Sequence, residues 1–248
     1  MNPFSRTQFL LGYDAMKKLK TARVAVFGLG GVGGYVAEAL ARSGVGALDL
    51  VDHDTISLTN INRQILATRD TVGMDKAEAA ARRAKAINPD CDARAIKTFY
   101  LPETADQFDF TAYDYVVDAI DTVTGKLMLV QAAKEAGTPI ISSMGTGNKL
   151  DPTAFQVADI HETSVCPLAR IIRKECRKRG IDRLKVVYST EDPIKTALPP
   201  DDPAWAELPE GRNALPGSVC FVPAVAGMII AGEVINDLIK SNNPSAYG

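Results

Sequence analysis

The sequence predicts an α/β fold, a doubly wound and mostly parallel sheet that carries helices on both faces. Apolar runs of strand length alternate with helical segments from residue 23 to residue 143, which is typical of repeated β-α-β units. A glycine-rich turn joins the first strand of this pattern to its first helix. The chain has 248 residues and 46% apolar side chains, so it can bury one large core.

The first β-α-β unit consists of a strand at 23–28, a helix at 31–44 and a strand at 47–52. Both strands are nearly continuous apolar runs, as expected for parallel strands that are covered on both faces. The pattern then continues through a helix, two strands, a helix and a strand, at 75–88, 93–98, 113–121, 125–137 and 139–143. The strand at 113–121 ends in two acids, Asp118 and Asp121.

The composition changes after residue 150, where we predict a C-terminal extension of strands, a basic helix and an apolar helix. The strands lie at 154–160 and 184–189, the basic helix at 167–180 and the apolar helix at 219–235. Six prolines between 190 and 217 predict a long loop, and loops of this length are usually functional or mobile. The loop is rich in acids, so we expect a lid over the site rather than a phosphate clamp.

The overall composition limits the class of protein. A net charge of −2 argues against a globally basic nucleic-acid binder. Four cysteines without a C-x-x-C pair argue against structural zinc and suit a reducing cytosol. The segment at 219–235 is apolar enough to suggest a membrane span, but it contains Pro223 and Glu233, so we favour a buried helix. We expect a cytoplasmic protein without a secretory signal, with peripheral membrane association as a weaker alternative.

The turn "GLGGVG" at 28–33 fits the G-x-G-x-x-G pattern of nucleotide-binding Rossmann-like folds, with a strand before it and a helix after it. Gly28 permits the tight turn, Gly30 and Gly31 let the backbone approach phosphate, and Gly33 lets the helix pack closely. The N-terminus of that helix offers free N–H groups to the phosphates. Asp52 ends the second strand, where it can accept hydrogen bonds from ribose hydroxyls.

Three charged residues favour ATP over a nicotinamide dinucleotide. Arg63 and Lys76 can neutralise phosphate oxygens, and Asp121 can hold a magnesium ion at the carboxyl edge of the sheet. Taken singly, each has an equally good structural explanation: Arg63 as a surface ion-pair partner, Lys76 as an exposed helix charge and Asp121 as a helix cap. A nicotinamide oxidoreductase would need only the glycine turn and Asp52, and it would leave all three unexplained.

The combination "GLGGVG", "VDHD", "SLTNINRQ", "DK" and "DAID" resembles the adenylating domain of ubiquitin-activating enzymes and their bacterial relatives, the ThiF, MoeB and HesA group. The resemblance implies that Asn60, Arg63 and Gln64 clamp ATP, that Lys76 binds phosphate and that Asp121 binds Mg²⁺. It also implies that Arg6 enters the ATP site of a partner subunit in a homodimer. The alternative is that Arg6 is a solvated residue of the N-terminal tail.

Within this superfamily, "VCPLARIIRKECRKRG" and "GSVCFVPAVAG" resemble the branch of tRNA threonylcarbamoyladenosine dehydratases. That branch adenylates the threonine carboxylate of a modified adenosine in tRNA and cyclises it, releasing AMP and pyrophosphate. Intramolecular ring closure has a large effective molarity, so it needs no cysteine-bound intermediate. The alternative is an activator of a small ubiquitin-like sulfur-carrier protein that uses Cys166.

The helix at 167–180 is basic and predicts a tRNA-binding surface rather than a DNA-binding one. Its candidate contacts are Arg170, Arg173, Lys174, Arg177 and Lys178, and the basic patch extends past the helix to Arg179, Arg183 and Lys185. A charged helix face is more often simply solvated, so the resemblance adds much of the weight. A sulfur-transfer protein is a further partner that the resemblance allows.

The thiols and histidines supply little further chemistry. Cys166 precedes the basic helix and could be activated by its dipole, although a cysteine without catalytic duty is the simpler interpretation. Cys220 stands among apolar residues and is predicted to lie in the core, and His53 is predicted to border the nucleotide. We divide the chain into an ATP-binding adenylating core with an N-terminal helical arm, 1–150, and a substrate-facing and tRNA-facing extension packed on it, 151–248.

Overall fold

The structure is a computed structural model that describes residues 2–195 and 216–240. Most of the proline-rich loop predicted as a lid, 196–215, lies outside the described residues, as does the C-terminal stretch 241–248.

Seven strands form one sheet in the order β3-β2-β1-β4-β5-β7-β6. The strands are β1 (Arg23–Phe27), β2 (Ala47–Val51), β3 (Asp92–Ile96), β4 (Tyr115–Asp118), β5 (Ile140–Ser143), β6 (Phe155–Asp159) and β7 (Lys185–Ser189). All neighbouring pairs are parallel except β6 with β7, which is antiparallel. The strand order reverses between β1 and β4, which creates the crevice where α/β sheets bind ligands.

The helices cover both faces of the sheet, so the predicted doubly wound fold is confirmed. They are α1 (Ser5–Leu11), α2 (Tyr13–Thr21), α3 (Gly33–Arg42), α4 (Lys76–Ile87), α5 (Val123–Ala136), α6 (Pro167–Lys178) and α7 (Phe221–Lys240). One face packs in a single apolar cluster with α2, α3, α4 and α7. The other face packs against α5, α6 and aromatic residues of the segment before β4. The predicted C-terminal strands, basic helix and apolar helix are all present.

The prediction that a strand runs to Asp121 is wrong. β4 ends at Asp118, because the Asp118 carboxylate is fully buried and accepts a hydrogen bond from the Ile120 amide at 3.3 Å, which turns the chain. α5 begins at Val123, two residues earlier than predicted. Asp121 therefore lies in the connecting loop, not at the strand end.

Helix α7 is long and apolar enough to cross a membrane, with a mean hydropathy of 1.6. One of its faces is buried in the core that it shares with α3, and this is the arrangement of a core helix. Gly227 sits against the start of α3, where a Cβ atom would lie 2.6 Å from the Val32 carbonyl oxygen. Asp237 accepts hydrogen bonds from the Tyr115 hydroxyl at 2.7 Å and from Lys185 at 2.6 Å.

Candidate functional site

A cavity of about 520 Å³ opens at the carboxyl ends of β1, β2, β4 and β5. It collects most of the residues that the sequence predicts for a nucleotide site. Those that line it are Gly28, Gly30, Gly31, Asp52, Asn60, Arg63, Gln64, Lys76 and Asp121. Residues from five separate stretches of the chain therefore meet in one crevice.

The glycine turn is shaped by close contacts that a side chain would prevent. Gly28 has φ +87°, and a Cβ atom on it would lie 2.7 Å from the Ala119 carbonyl carbon, which follows β4. Gly33 does not line the cavity. A Cβ atom on Gly33 would lie 1.8 Å from the Gly28 carbonyl oxygen, so α3 packs directly on the turn. The turn is thus built with the geometry that allows backbone amides to approach phosphate.

Asp52 joins the glycine turn to the loop after β2. One carboxylate oxygen accepts from the Leu29 amide at 2.6 Å and the other accepts from the Asp54 amide at 2.9 Å. A carboxylate oxygen has a second lone pair, so both oxygens retain capacity to accept from hydroxyl groups. Its side chain is only 8% exposed and borders the cavity, which fixes its position before any ligand binds.

The "NINRQ" stretch lines the cavity beside the glycine turn, where a Cβ atom on Gly31 would lie 3.6 Å from Arg63 Cγ. Asn60 is buried, and its side-chain oxygen accepts from the Ser57 amide at 3.1 Å, so part of this amide shapes the loop. Gln64 is 6% exposed, and its side-chain oxygen has no hydrogen-bond partner among the described residues. A buried amide oxygen without a partner is costly, so Gln64 is a polar residue of the cavity wall that the fold itself does not fully satisfy.

Lys76 is buried at the start of α4, which excludes the alternative that it is an exposed helix charge. Its ammonium lies 2.7 Å from the Asp54 carboxylate, and His53 lies 3.1 Å from the other oxygen of that group. The ligand atoms of Asp52, His53 and Asp54 are grouped within 4.8 Å. Because Asp54 engages Lys76 and Asp52 engages two amides, this group positions the lysine rather than offering a free set of metal ligands.

Asp121 lines the cavity as an exposed carboxylate, while the neighbouring Asp118 is wholly buried. The Lys126 ammonium donates to both oxygens of Asp118, at 3.0 and 3.1 Å, and to the Ser143 carbonyl at 2.7 Å. Burial raises the pKa of Asp118, and the charge of Lys126 opposes that shift. The pair holds the ends of β4 and β5 together directly behind the cavity.

A second half of the cavity was missed by sequence reasoning. It is lined by residues 144–147 after β5, by Leu168 at the start of α6 and by residues 216–218 before α7. His53 borders the first half as predicted, with its ring centroid 4.3 Å from that of Phe99. The two glycines in "MGTG" at the carboxyl end of a parallel strand were the sequence signal for this half.

The basic helix α6 starts at the cavity and presents part of its charge to solvent. Arg170, Lys174 and Arg177 are exposed and recur at helical spacing along one face. Arg173 is half-buried and donates to the carbonyl and hydroxyl of Thr163, both at 2.6 Å. Lys178 pairs with Glu175 at 2.7 Å, and hydrogen bonds from Lys178 and Arg179 lower the pKa of Glu175 to about 2.

The charge at Lys185 does not belong to this surface, contrary to the sequence interpretation of the region. Its ammonium is 2.6 Å from Asp237 and 3.1 Å from Glu233, both on α7. Because Arg173 and Lys178 also have protein partners, the exposed basic surface is smaller than the number of basic residues in this region indicates.

The prediction that Cys220 is a core residue is wrong. It is exposed, with its sulfur 3.3 Å from the Tyr35 hydroxyl, because it precedes α7, whose buried residues begin at Val222. Cys166 is buried at 3% exposure in the cluster that α6 shares with α5. Burial raises the pKa of both Cys91 and Cys176 to about 11, so these thiols are poor nucleophiles.

Arg6 lies on α1 and is exposed, and it does not line the cavity of its own chain. The same arm exposes large apolar side chains, with Phe9 76%, Leu10 85% and Tyr13 74% exposed.

Comparison with known proteins agrees with this geometry. The family model described as the ThiF family matches residues 4–248. The tRNA threonylcarbamoyladenosine dehydratase of Bacillus subtilis is 43% identical, over 97% of this chain and 96% of that protein. The protein of the same name from Escherichia coli is 39% identical, over 95% and 93%. The crystal structure of E. coli tRNA N6-threonylcarbamoyladenosine dehydratase, TcdA, in complex with ATP has a TM-score of 0.84, at 33% identity over 96% of this chain and 93% of that one. The chain belongs to the ThiF family.

Proposed function

We propose that this protein is an ATP-dependent tRNA threonylcarbamoyladenosine dehydratase. It adenylates the threonine carboxylate of the modified adenosine and cyclises it, with release of AMP and pyrophosphate. The observation that carries the proposal is the two-part cavity, in which a nucleotide half adjoins a second half at the start of a basic helix. Similarity to enzymes of this name over nearly the whole chain supports it.

In this proposal the nucleotide half holds ATP. Backbone amides of Gly30 and Gly31 face the phosphates, while the Gly28 amide donates to the Val51 carbonyl at 2.8 Å and shapes the turn. Gly33 keeps the start of α3 close to the phosphates. Asp52 accepts from the ribose hydroxyls with the lone pairs that Leu29 and Asp54 leave free. Asn60 and Gln64 line the cavity beside the glycine turn and clamp the nucleotide there.

Arg63 and Lys76 neutralise the phosphates in this proposal. Lys76 is already fixed by Asp54, so its ammonium needs little reorganisation when a second anion arrives. The donor set also fits Mg²⁺, because Asp121 is an exposed carboxylate that lines the same cavity. Mg²⁺ is usually bound by one or two carboxylates together with phosphates. When bound, Mg²⁺ supplies neutralisation of the leaving pyrophosphate.

The residues of the chain supply position and charge rather than covalent chemistry. The substrate carboxylate attacks the α-phosphorus, and pyrophosphate leaves as Arg63 and Lys76 stabilise its growing charge. The carbamoyl group of the same side chain then attacks the activated carbonyl, the ring closes as the bond to AMP breaks, and the carbamoyl group loses a proton to solvent as AMP leaves. The net change in the nucleoside is the loss of water. Ring closure is intramolecular, so the proximity of the reacting groups takes the place of a thiol intermediate.

Helix α6 is the proposed tRNA-binding element. Leu168 at its start lines the cavity, and Arg170, Lys174 and Arg177 extend from there across its exposed face. A phosphate backbone that follows this face would bring one flipped nucleoside to the second half of the cavity. Arg173 and Lys178, which were also predicted to contact tRNA, have protein partners and contribute less free charge.

We also propose that the protein acts in the cytoplasm as a homodimer in which Arg6 reaches the partner's ATP site. The exposed apolar side chains of the N-terminal arm support this, since such patches usually mark interfaces. An activator of a sulfur-carrier protein is the weaker candidate, because the buried Cys166 is poorly placed to form a thioester.

The testing experiment measures AMP release from ATP and Mg²⁺, with and without tRNA that carries threonylcarbamoyladenosine. We expect strong stimulation by the modified tRNA and its loss in Arg63→Ala. Arg69→Ala is the control, since it removes an exposed arginine six positions away that does not line the cavity. AMP formation that the modified tRNA does not stimulate would contradict the dehydratase reaction and favour a carrier-protein substrate.

A further inference from the structure

Asn62 lies between two residues proposed to bind ATP, Asn60 and Arg63, and its side chain forms hydrogen bonds with a residue of each half of the cavity. Its Oδ1 accepts from Arg63 Nη1 at 2.9 Å. Its Nδ2 donates to the Ser218 carbonyl oxygen at 2.9 Å, across 156 positions of sequence. One amide group therefore connects the proposed phosphate clamp with the segment 216–218 that lines the second half.

The segment 216–218 is also fixed from its other side. The Gly217 amide donates to Asn148 Oδ1 at 2.6 Å, and the Asn148 amide donates to the Gly217 carbonyl at 2.8 Å. Asn148 has φ +59°, a left-handed conformation that asparagine adopts more readily than most residues. Asn148 directly follows the cavity-lining residues 144–147, so two asparagines hold segment 216–218 between the two walls.

The hydrogen bonds of Arg63 also determine which edge of its guanidinium group is left for a ligand. Nη1 donates to the Thr59 carbonyl at 3.0 Å as well as to Asn62. These two bonds use both hydrogens of Nη1. The edge formed by Nε and Nη2 takes no part in them, and this edge can bind two oxygens of one phosphate.

We propose that Asn62 is a positioning residue that couples segment 216–218 to the orientation of Arg63. This inference rests on the proposed function, in which Arg63 binds phosphate and the second half binds the modified nucleoside. The Asn62 amide cannot turn away from Arg63 without also losing its bond to Ser218. A nucleoside that packs against segment 216–218 thereby stabilises the Arg63 orientation that binds ATP, and bound ATP stabilises the wall that the nucleoside contacts.

The test combines two variants and a control. Asn62→Ala should weaken binding of the α,β-methylene analogue of ATP with Mg²⁺ by about tenfold, the size of one charge-assisted hydrogen bond, and should raise KM for the modified tRNA. Because Asn62 is exposed, the Tm of the ligand-free protein should stay unchanged. In the Arg63→Ala background, Asn62→Ala should weaken analogue binding no further, because it acts through Arg63.

Asn148→Gly is the matched control, since glycine keeps the left-handed backbone and removes only the side-chain bond to Gly217. It should raise KM for the modified tRNA and weaken analogue binding much less than Asn62→Ala does, because the bond between Asn62 and Arg63 remains. Two outcomes would overturn this inference and leave the proposed function intact. One is that the losses of analogue affinity in Asn62→Ala and Arg63→Ala multiply in the double variant, and the other is that Asn62→Ala binds the analogue normally. Normal analogue binding by Arg63→Ala would overturn the proposed clamp and the inference together.

Discussion

At the scale of single residues, the two aspartates of "DAID" lie three positions apart and have different roles, one in the fold and one in the cavity. Asp118 is fully buried and bound to Lys126, whereas Asp121 is an exposed carboxylate in the cavity wall. The sequence motif marks both acids equally. Which acid holds the fold and which faces a ligand is decided by where β4 ends.

Lys126→Met is predicted to destabilise the protein strongly. It leaves the Asp118 carboxylate buried without its partner, and breaking such a pair costs about 3–5 kcal/mol in the free energy of unfolding. Chemical denaturation of the variant and wild type measures this difference. The double variant Asp118→Leu with Lys126→Met removes both charges and should recover most of the lost stability. A loss below about 1 kcal/mol in the single variant would contradict the role of the pair.

At the scale of elements, α6 combines two surfaces in twelve residues. Ala169, Ile172 and Cys176 face the core, while Arg170, Lys174 and Arg177 face solvent. Because the helix begins at the cavity with Leu168, a ligand that follows the basic face is led toward the second half of the site. The helical spacing of these residues was visible in the sequence, but the contact of the helix start with the cavity was not.

The double variant Lys174→Ala with Arg177→Ala is predicted to weaken tRNA binding and leave ATP binding unchanged. The two charges neutralise backbone phosphates, so the slope of log K against log salt should fall by about 1–2. Filter binding at several salt concentrations measures it. Arg82→Ala with Lys85→Ala on α4 is the control, because it removes two exposed charges of the same sign elsewhere. Equal losses in the two double variants would contradict a specific surface on α6.

At the scale of the whole molecule, the cavity is assembled from both ends of the chain, and the N-terminal arm remains apart from it. Residues 216–218 close one side, next to α7, while Arg6 on α1 lies outside the cavity of its own chain. A role for Arg6 in ATP binding therefore requires a second subunit.

Mixing Arg6→Ala subunits with Arg63→Ala subunits tests that requirement. Each variant alone should be nearly inactive in AMP release. In a mixed dimer, one site combines an intact Arg63 with an intact Arg6 from the partner, so random mixing should restore about a quarter of wild-type activity. Sedimentation checks that both variants form dimers. Mixtures that stay inactive after subunit exchange would contradict an arginine shared between subunits.

The sequence determined the order of the strands and helices, the glycine turn, Asp52 and the charged residues of the nucleotide half. Local spacing carries this information, because apolar periodicity sets the elements and a parallel sheet brings its carboxyl ends together. The reaction class came from the resemblance of a few short motifs to a known family of adenylating enzymes.

The tertiary structure alone decided the end of β4, the exposure of Cys220, the burial of Lys76 beside Asp54 and the second half of the cavity. It also decided that Asn62 bonds to Ser218, 156 positions away. Local patterns cannot encode such contacts, since they depend on how distant segments pack, and packing fixes which polar group is buried and which partner it meets.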